Sequence, residues 1–274
     1  MIIALHGVSI MYCNLITDIR VAFETNHKAL EIEVGKLLRY LDQGFKAEEL
    51  LPIFQANDVR PVMINSVRDI DRVDGRERGQ LLTEVERLCI AAATIQCPTI
   101  QIVAFCRLER RPWSEILKLT ARNVADIADI GKQHGVRFQF EPIAWAPIYS
   151  LSQSLQVIEE ADRDNVAMVI DFWHLYAGGG TTPDEVAKLD SAMIYSVHFC
   201  DGVAHKTGTP WNEAELRGYL PGDGEIPIEE WVSAVKSTGF DGIWSCELVS
   251  PKHWEWDPVD VAQECRSRME RYLS

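Results

Sequence analysis

VAMVIDFWHLYAGGGTTPDEVAKLDSAMIYSVHF, residues 166–199, carries two short β-rich runs, VAMVID (166–171) and MIYSVHF (193–199), separated by a helical segment near 183–189. Apolar runs of this length, rich in β-branched residues and bounded by turn signals, predict buried strands. The same rhythm extends outward in both directions. Strands are predicted at about 2–8 (IIALHGV), 30–34 (LEIEV), 59–64 (VRPVMI), 99–105 (TIQIVAF), 137–141 (RFQFE) and 242–248 (GIWSCEL). Between them lie segments of helical period. The clearest is 76–96, with Leu81, Leu82, Val85, Leu88 and Cys89 on one stripe; next is 113–134, buried through Ile116, Leu117, Leu119, Val124, Ile127 and Ile130. Others are predicted near 151–161, 228–238 and 257–272. Eight β runs alternating with helices in 274 residues predict the α/β class, as a single (β/α)8 TIM barrel forming one domain over 1–274. The rival, an open doubly wound sheet, usually shows a glycine-rich turn after an early strand; here Gly7 and Gly35 stand alone.

Composition narrows the classes. A hydrophobic fraction of 47% and a charged fraction of 25% are ordinary globular values and exclude disorder or coiled coil as the main architecture. The formal charge of −14 disfavours a phosphate backbone as partner, so no nucleic acid is expected. No apolar run reaches the roughly 18 residues of a membrane span, and no membrane partner is expected. The N-terminal MIIALHGVSIMYCN lacks a basic stretch before its apolar one and reads as a strand, not a signal peptide. Seven cysteines, an odd number without a C-x-x-C pair, suggest reduced thiols and a cytoplasmic setting.

Polar residues stand where four successive strands end: Glu141 (FQFEP), Asp171 (MVIDFWH), His198 (YSVHFCD) and Glu247 (SCELVSP). Each has an ordinary reading. Glu141 precedes Pro142 and can serve a turn, Asp171 can cap the segment after it, and His198 can be a hydrogen-bonded core histidine. Together, at equivalent places on one rim, they suggest convergence on a divalent cation, because charged groups at buried strand ends need a partner or a metal. Two Glu, one Asp and one His suit Mn²⁺, Mg²⁺, Co²⁺ or Fe²⁺, with Zn²⁺ admitted. The segment after the seventh strand, CDGVAHKTGTPWNEAELRGYLPGDGEIP (200–227), is too long for an ordinary βα connection and is expected to be an active-site loop.

These residues resemble the xylose-isomerase-like TIM-barrel superfamily, in its sugar isomerase and epimerase branch, which includes ketose 3-epimerases and inosose isomerases or dehydratases. The resemblance rests on Glu141, on Asp171 with His174 in DFWH, on His198 in VHFCDG, on Glu247 in SCELVSP and on LPGDGEIP at 220–227, and is clearest from Glu141 to Glu247. It implies one metal ion, Mn²⁺ first, held by Glu141, Asp171, His198 and Glu247. It implies isomerisation or epimerisation of a keto-sugar or keto-polyol by proton transfer through an enediolate that the metal stabilises. Glu141 and Glu247 would be the acid/base pair, and His174 would bond a substrate oxygen. Arg217 in ELRGYLPG is expected to clamp another oxygen, although the long loop departs from the shorter epimerase pattern.

Trp145, Trp173 and Trp211 fall near the predicted rim and suit the C–H faces of sugars or a flat glycoside; Trp254 and Trp256 are nearby, Trp256 more in keeping with packing. His6 and Asn65 divide evenly between pocket and core roles, and Cys106 and Cys200 lack a neighbouring base. The alternative chemistry is a lyase of the same site, by inosose dehydration or by β-elimination of a 3-keto-glycoside, C-glycosides included. An endonuclease IV-type repair nuclease would need more histidines at strand ends, and a non-catalytic barrel subunit would not need the four ligands. The expected partner is a small carbohydrate substrate, with a homo-oligomer or a small second subunit allowed.

Overall fold

A computed structural model describes residues 1–274. Eight parallel strands close into a barrel in sequence order: β1 (Ile2–His6), β2 (Ala29–Glu33), β3 (Arg60–Val67), β4 (Thr99–Val103), β5 (Arg137–Glu141), β6 (Val166–Asp171), β7 (Ile194–His198) and β8 (Ile243–Ser245). β1 pairs with β8 and closes the ring. The expected (β/α)8 barrel is the fold found. No helix is long and apolar enough to cross a membrane.

Helix-forming sequence is punctuated as capping chemistry requires. The helix Trp113–His134 stops at Gly135, whose φ of 69° lies in the left-handed region. Leu151–Ala161 starts on a capping box of Ser150 and Gln153. Gly131 sits where Trp113–His134 presses on β5; a Cβ there would lie 2.3 Å from the Phe138 ring. Glycine thus sets the depth at which this helix docks on the strand that carries Glu141. The apolar core fills the layer between strands and helices, from residues such as Leu30, Ile32, Phe138, Phe140, Ile170 and Val197.

Alternation along each strand sends the other side chains into the barrel. Ala4, Ala29, Val62 and Met63 plug the floor at the N-terminal end. Above them the interior is polar: His6, Glu31, Asn65, Gln101, Gln139, Ser196 and Ser245 are all buried. Barrel interiors are usually filled by branched apolar residues, so this polar column requires its own hydrogen-bond accounting.

Strand ends differ from expectation at two places that matter. β3 runs on to Val67, so Asn65 lies within it and not after it. β8 ends at Ser245, two residues before Glu247. The chain leaves the ladder there because Ser9 takes it over: its hydroxyl donates to the Cys246 carbonyl at 2.6 Å and accepts from the Leu248 amide at 3.0 Å. These two bonds bracket Glu247 and hold its backbone without a strand neighbour.

Candidate metal centre

The four strand-end residues converge. Glu141, Asp171, His198 and Glu247 each present one ligand atom, all within 4.8 Å of one another, and all four residues are buried. His198 Nδ1 faces three carboxylates: Glu247 Oε2 at 3.0 Å, Glu141 Oε1 at 3.1 Å and Asp171 Oδ2 at 3.6 Å. Register brings them together, since Asp171 lies beside His198 across β6 and β7.

Each carboxylate divides its two oxygens between scaffold and centre. Asp171 Oδ1 caps the helix Phe172–Gly178 by accepting the His174 amide at 2.6 Å, leaving Oδ2 to the centre. The helix-cap and ligand readings of Asp171 are therefore compatible. Glu141 Oε2 accepts from Gln101 Nε2 at 2.9 Å, leaving Oε1. Gln101 is oriented in turn by Gln139 at 2.6 Å, and Gln139 by the Ser196 hydroxyl at 2.8 Å, a relay across three strands.

Arg217 lies on the centre. Its Nη2 donates to Asp171 Oδ2 at 2.9 Å and Glu247 Oε2 at 2.8 Å, and its Nη1 reaches Glu213 at 3.1 Å and His174 Nε2 at 3.0 Å. The residue is 1% exposed, and its buried Nε finds no acceptor in the protein. Trp173 supports it from behind, with its ring centroid 5.2 Å from the guanidinium carbon. Trp173 is fully buried and its indole N–H is taken by the Val203 carbonyl at 3.2 Å, so it braces Arg217 and offers no open face. Trp145 and Trp211 are half-buried, 5.8 Å apart, with Trp145 5.3 Å from the His174 ring. Trp254 and Trp256 pack against Tyr12 and His253.

Electrostatics follow from crowding charge in a dry place. Burial, helped by Glu247 and Asp171, pushes Glu141 up to about 8 against the opposing pull of His198. Burial would also raise Asp171, but Arg217, His174 and His198 outweigh it and hold it at about 2. Glu247 is held well below the carboxylate range, its burial overcome by Arg217, His198 and His6. Burial alone would lower His198; Glu31, Glu247, Asp171 and Glu141 reverse that and hold it well above its ordinary value. Burial takes His174 down to about 4, so it is neutral near pH 7. Three facing carboxylates and one imidazole form an oxygen-rich donor set that fits a hard or borderline divalent cation once His198 and Glu141 give up their protons.

The segment 200–227 is tied at both ends. Asp201 accepts the amides of Gly202, Gly222, Gly224 and Ile226 at 2.7, 2.8, 2.9 and 3.3 Å. A Cβ on Gly224 would lie 2.3 Å from Asp201 Oδ1, which is why PGDG has glycine there. Asp201 also bridges Tyr219, and Val203 donates to the Leu216 carbonyl at 2.8 Å. In between, His205 stacks on Trp211 at 3.8 Å, while Lys206 is exposed.

Sequence reading missed Glu31, Ser9 and the glutamine relay. It left His6 and Asn65 undecided; both lie beneath the centre, with His6 Nε2 3.3 Å from Glu31 and 3.5 Å from Glu247. Cys106 bonds only the Trp145 carbonyl, and burial raises the Cys200 thiol, in keeping with structural roles.

The family model for the xylose isomerase-like TIM barrel matches residues 19–272. An inosose isomerase of Halalkalibacterium halodurans is 25% identical over 245 residues, covering 88% of this chain and 85% of that protein. An inosose isomerase of Bacillus velezensis is 22% identical over 264 residues, 95% of this chain and 92% of that protein. A solved structure of the IolI protein with a bound zinc atom superposes with a TM-score of 0.92 at 22% identity, covering 100% of this chain and 98% of that one.

Proposed function

The chain belongs to the xylose isomerase-like TIM barrel family, and from that premise we propose that it is a divalent-metal-dependent isomerase or epimerase of a keto-sugar or keto-polyol. The observation that carries the reading is the convergence of four ligand atoms, from the ends of β5 to β7 and from the segment just after β8, within 4.8 Å. Glu141, Asp171, His198 and Glu247 would hold the cation. Bound there, the cation supplies Lewis acidity toward a carbonyl and an adjacent hydroxyl, which makes the neighbouring C–H more acidic. Mn²⁺ is the first choice for so oxygen-rich a set; zinc is bound in the IolI structure.

The chain's own groups do the rest. Glu141 and Glu247 come from the two outermost strands of the ligand set, β5 and β8, so one takes the proton from the carbon beside the carbonyl and the other returns a proton to the product. His174 and Arg217 bind substrate oxygens. Arg217 Nε–H lacks an acceptor in the protein, and His174 Nε2 lies 3.0 Å from Arg217 Nη1, so the two side chains keep donors for a substrate oxygen. Trp145 and Trp211 give the rim an apolar side for sugar C–H faces. The inosose isomerase relatives favour a cyclic polyol-ketone.

The test is turnover in D₂O of inososes and ketoses by the Mn²⁺- and Zn²⁺-loaded protein, with products resolved by NMR. Solvent deuterium on the product carbon, or exchanged into recovered substrate, is expected. A substrate isotope effect measured alongside detects proton return that escapes exchange. Loss of water or of an aglycone would assign the lyase chemistry instead, and hydride transfer without solvent label and without a carboxylate requirement would reject the acid/base assignment.

A further inference from the structure

Glu31 occupies the polar interior below the ligands. It is fully buried and collects hydrogen bonds from four other strands. Its Oε1 lies 2.9 Å from His198 Nε2, 3.3 Å from His6 Nε2 and 3.4 Å from Asn65 Nδ2; its Oε2 accepts the Ser245 hydroxyl at 2.7 Å. Three donors crowd Oε1 and one takes Oε2, so Oε1, the oxygen facing both histidines, has no acceptor direction left.

Proton direction follows from fixed donors. The Val8 amide donates to His6 Nδ1 at 3.1 Å, so the proton of neutral His6 is on Nε2, facing Glu31. His6, Glu31 and His198 have ligand atoms close enough for a second cation. With Nδ1 accepting and Nε2 protonated, however, His6 has no lone pair to give one, and Oε1 of Glu31 is already crowded by three donors. The trio is hydrogen-bonded support. For His198, Nδ1 faces the three carboxylates and Nε2 faces Glu31. A neutral imidazole carries one proton; an anionic acceptor at 2.9 Å keeps it on Nε2 and leaves the Nδ1 lone pair toward the centre.

We propose that Glu31 is a positioning residue for the metal: it sets the tautomer and ring orientation of His198 and thereby its strength as a ligand. The inference rests on the cation assignment above and extends it to a residue that touches neither cation nor substrate. Such carboxylate partners of metal-bound histidines typically contribute roughly 10- to 100-fold to affinity.

Two measurements on the full-length protein test it. Zn²⁺ and Mn²⁺ dissociation constants are measured by chelator competition for wild type and Glu31→Gln, which keeps the shape and removes the charge. The expected result is roughly tenfold or more weaker binding in the variant. In parallel, two-bond ¹H–¹⁵N correlations of the Zn²⁺-loaded wild type, with His198 assigned by its loss in His198→Gln, should show the His198 proton on Nε2. Equal affinities, or a proton on Nδ1, overturn the positioning role while leaving the cation site intact. Failure of the wild type itself to bind one cation overturns both. If Glu31→Gln does not fold, the wild-type tautomer still decides.

Discussion

The backbone amide of Ala144 donates to Nδ1 of His174 across 3.2 Å. An amide N–H only donates, so Nδ1 is the acceptor and the imidazole proton is on Nε2, the nitrogen facing Arg217 at 3.0 Å. Two N–H groups therefore meet here, and each is a donor for an incoming substrate oxygen. With His174 at about 4, this neutral form persists across the working range and is lost only as pH falls toward 4. His174→Gln should lower kcat/KM by about 0.5–1.5 kcal/mol, the range for a neutral hydrogen bond. The shape of the kcat/KM–pH profile between pH 5 and 8 should not change. An acid limb near pH 6 that disappears in the variant would show that His174 titrates there.

Arg217 shares Asp171 Oδ2 and Glu247 Oε2 with any bound cation. Its removal relieves like-charge repulsion and competition. Arg217→Gln is therefore expected to bind Mn²⁺ more tightly, while kcat/KM falls by about 1–3 kcal/mol through loss of a charge-assisted contact. Chelator competition and steady-state kinetics on the same preparation check the opposite signs. Weaker metal binding would mean that Arg217 chiefly holds the carboxylates in place.

Metal uptake should release protons. Without a cation, Glu141 at about 8 and His198, well above its ordinary value, both hold protons at pH 7. The cation must displace them, so affinity rises with pH up to about 8 and falls toward acid. Titration calorimetry at pH 7 in buffers of different ionisation heat should report net proton release. Heats independent of buffer would contradict it. Asp171→Ala and His198→Ala should each lose stoichiometric metal while keeping the far-ultraviolet dichroism of the barrel.

His27, remote from the centre, sets part of the acid sensitivity of the fold. It is 2% exposed with Nδ1 2.7 Å from the Thr25 hydroxyl, and burial, with Arg266 adding to it, lowers it to about 3. The unfolded chain takes up a proton near 6.5 that the folded chain refuses. This contribution is therefore present above pH 6.5 and lost as pH falls toward 3. Between pH 7 and 5 the loss is about 2 kcal/mol. Urea midpoints for wild type and His27→Asn should show a flatter pH slope in the variant over that interval; parallel slopes would remove His27 from the explanation.

Alternating β runs made the barrel legible, and the four converging rim residues were legible because each closes an apolar run with one ionisable residue. Glu31 was not. In LEIEV, the apolar Leu30 and Ile32 face the helices and Glu31 faces inward. The same alternation describes a half-exposed strand, so period alone does not say which side meets water. Gln101 and Gln139 were hidden in the same way inside TIQIV and RFQFE. Glu247 was found although it lies beyond its strand, because GIWSCEL keeps its pattern past the ladder; Ser9, its real support, is 238 positions away in the chain and makes contact only once the ring closes.

Asp201 gathers amides from both ends of the segment after β7 only three residues beyond His198. His198 and the stem of the loop are consequently one piece of masonry, closed by the Val203–Leu216 bond, and what lies outside it, 204–215, is a crown carrying His205 and Trp211. Substitutions, insertions or exchange of that crown can redraw the outline of the substrate pocket without replacing Glu141, Asp171, His198 or Glu247 below it. Arg217, set at the seam between stem and crown, and Trp145 and Trp173, which pack against Trp211, are the residues through which a change of outline would be felt by the chemistry.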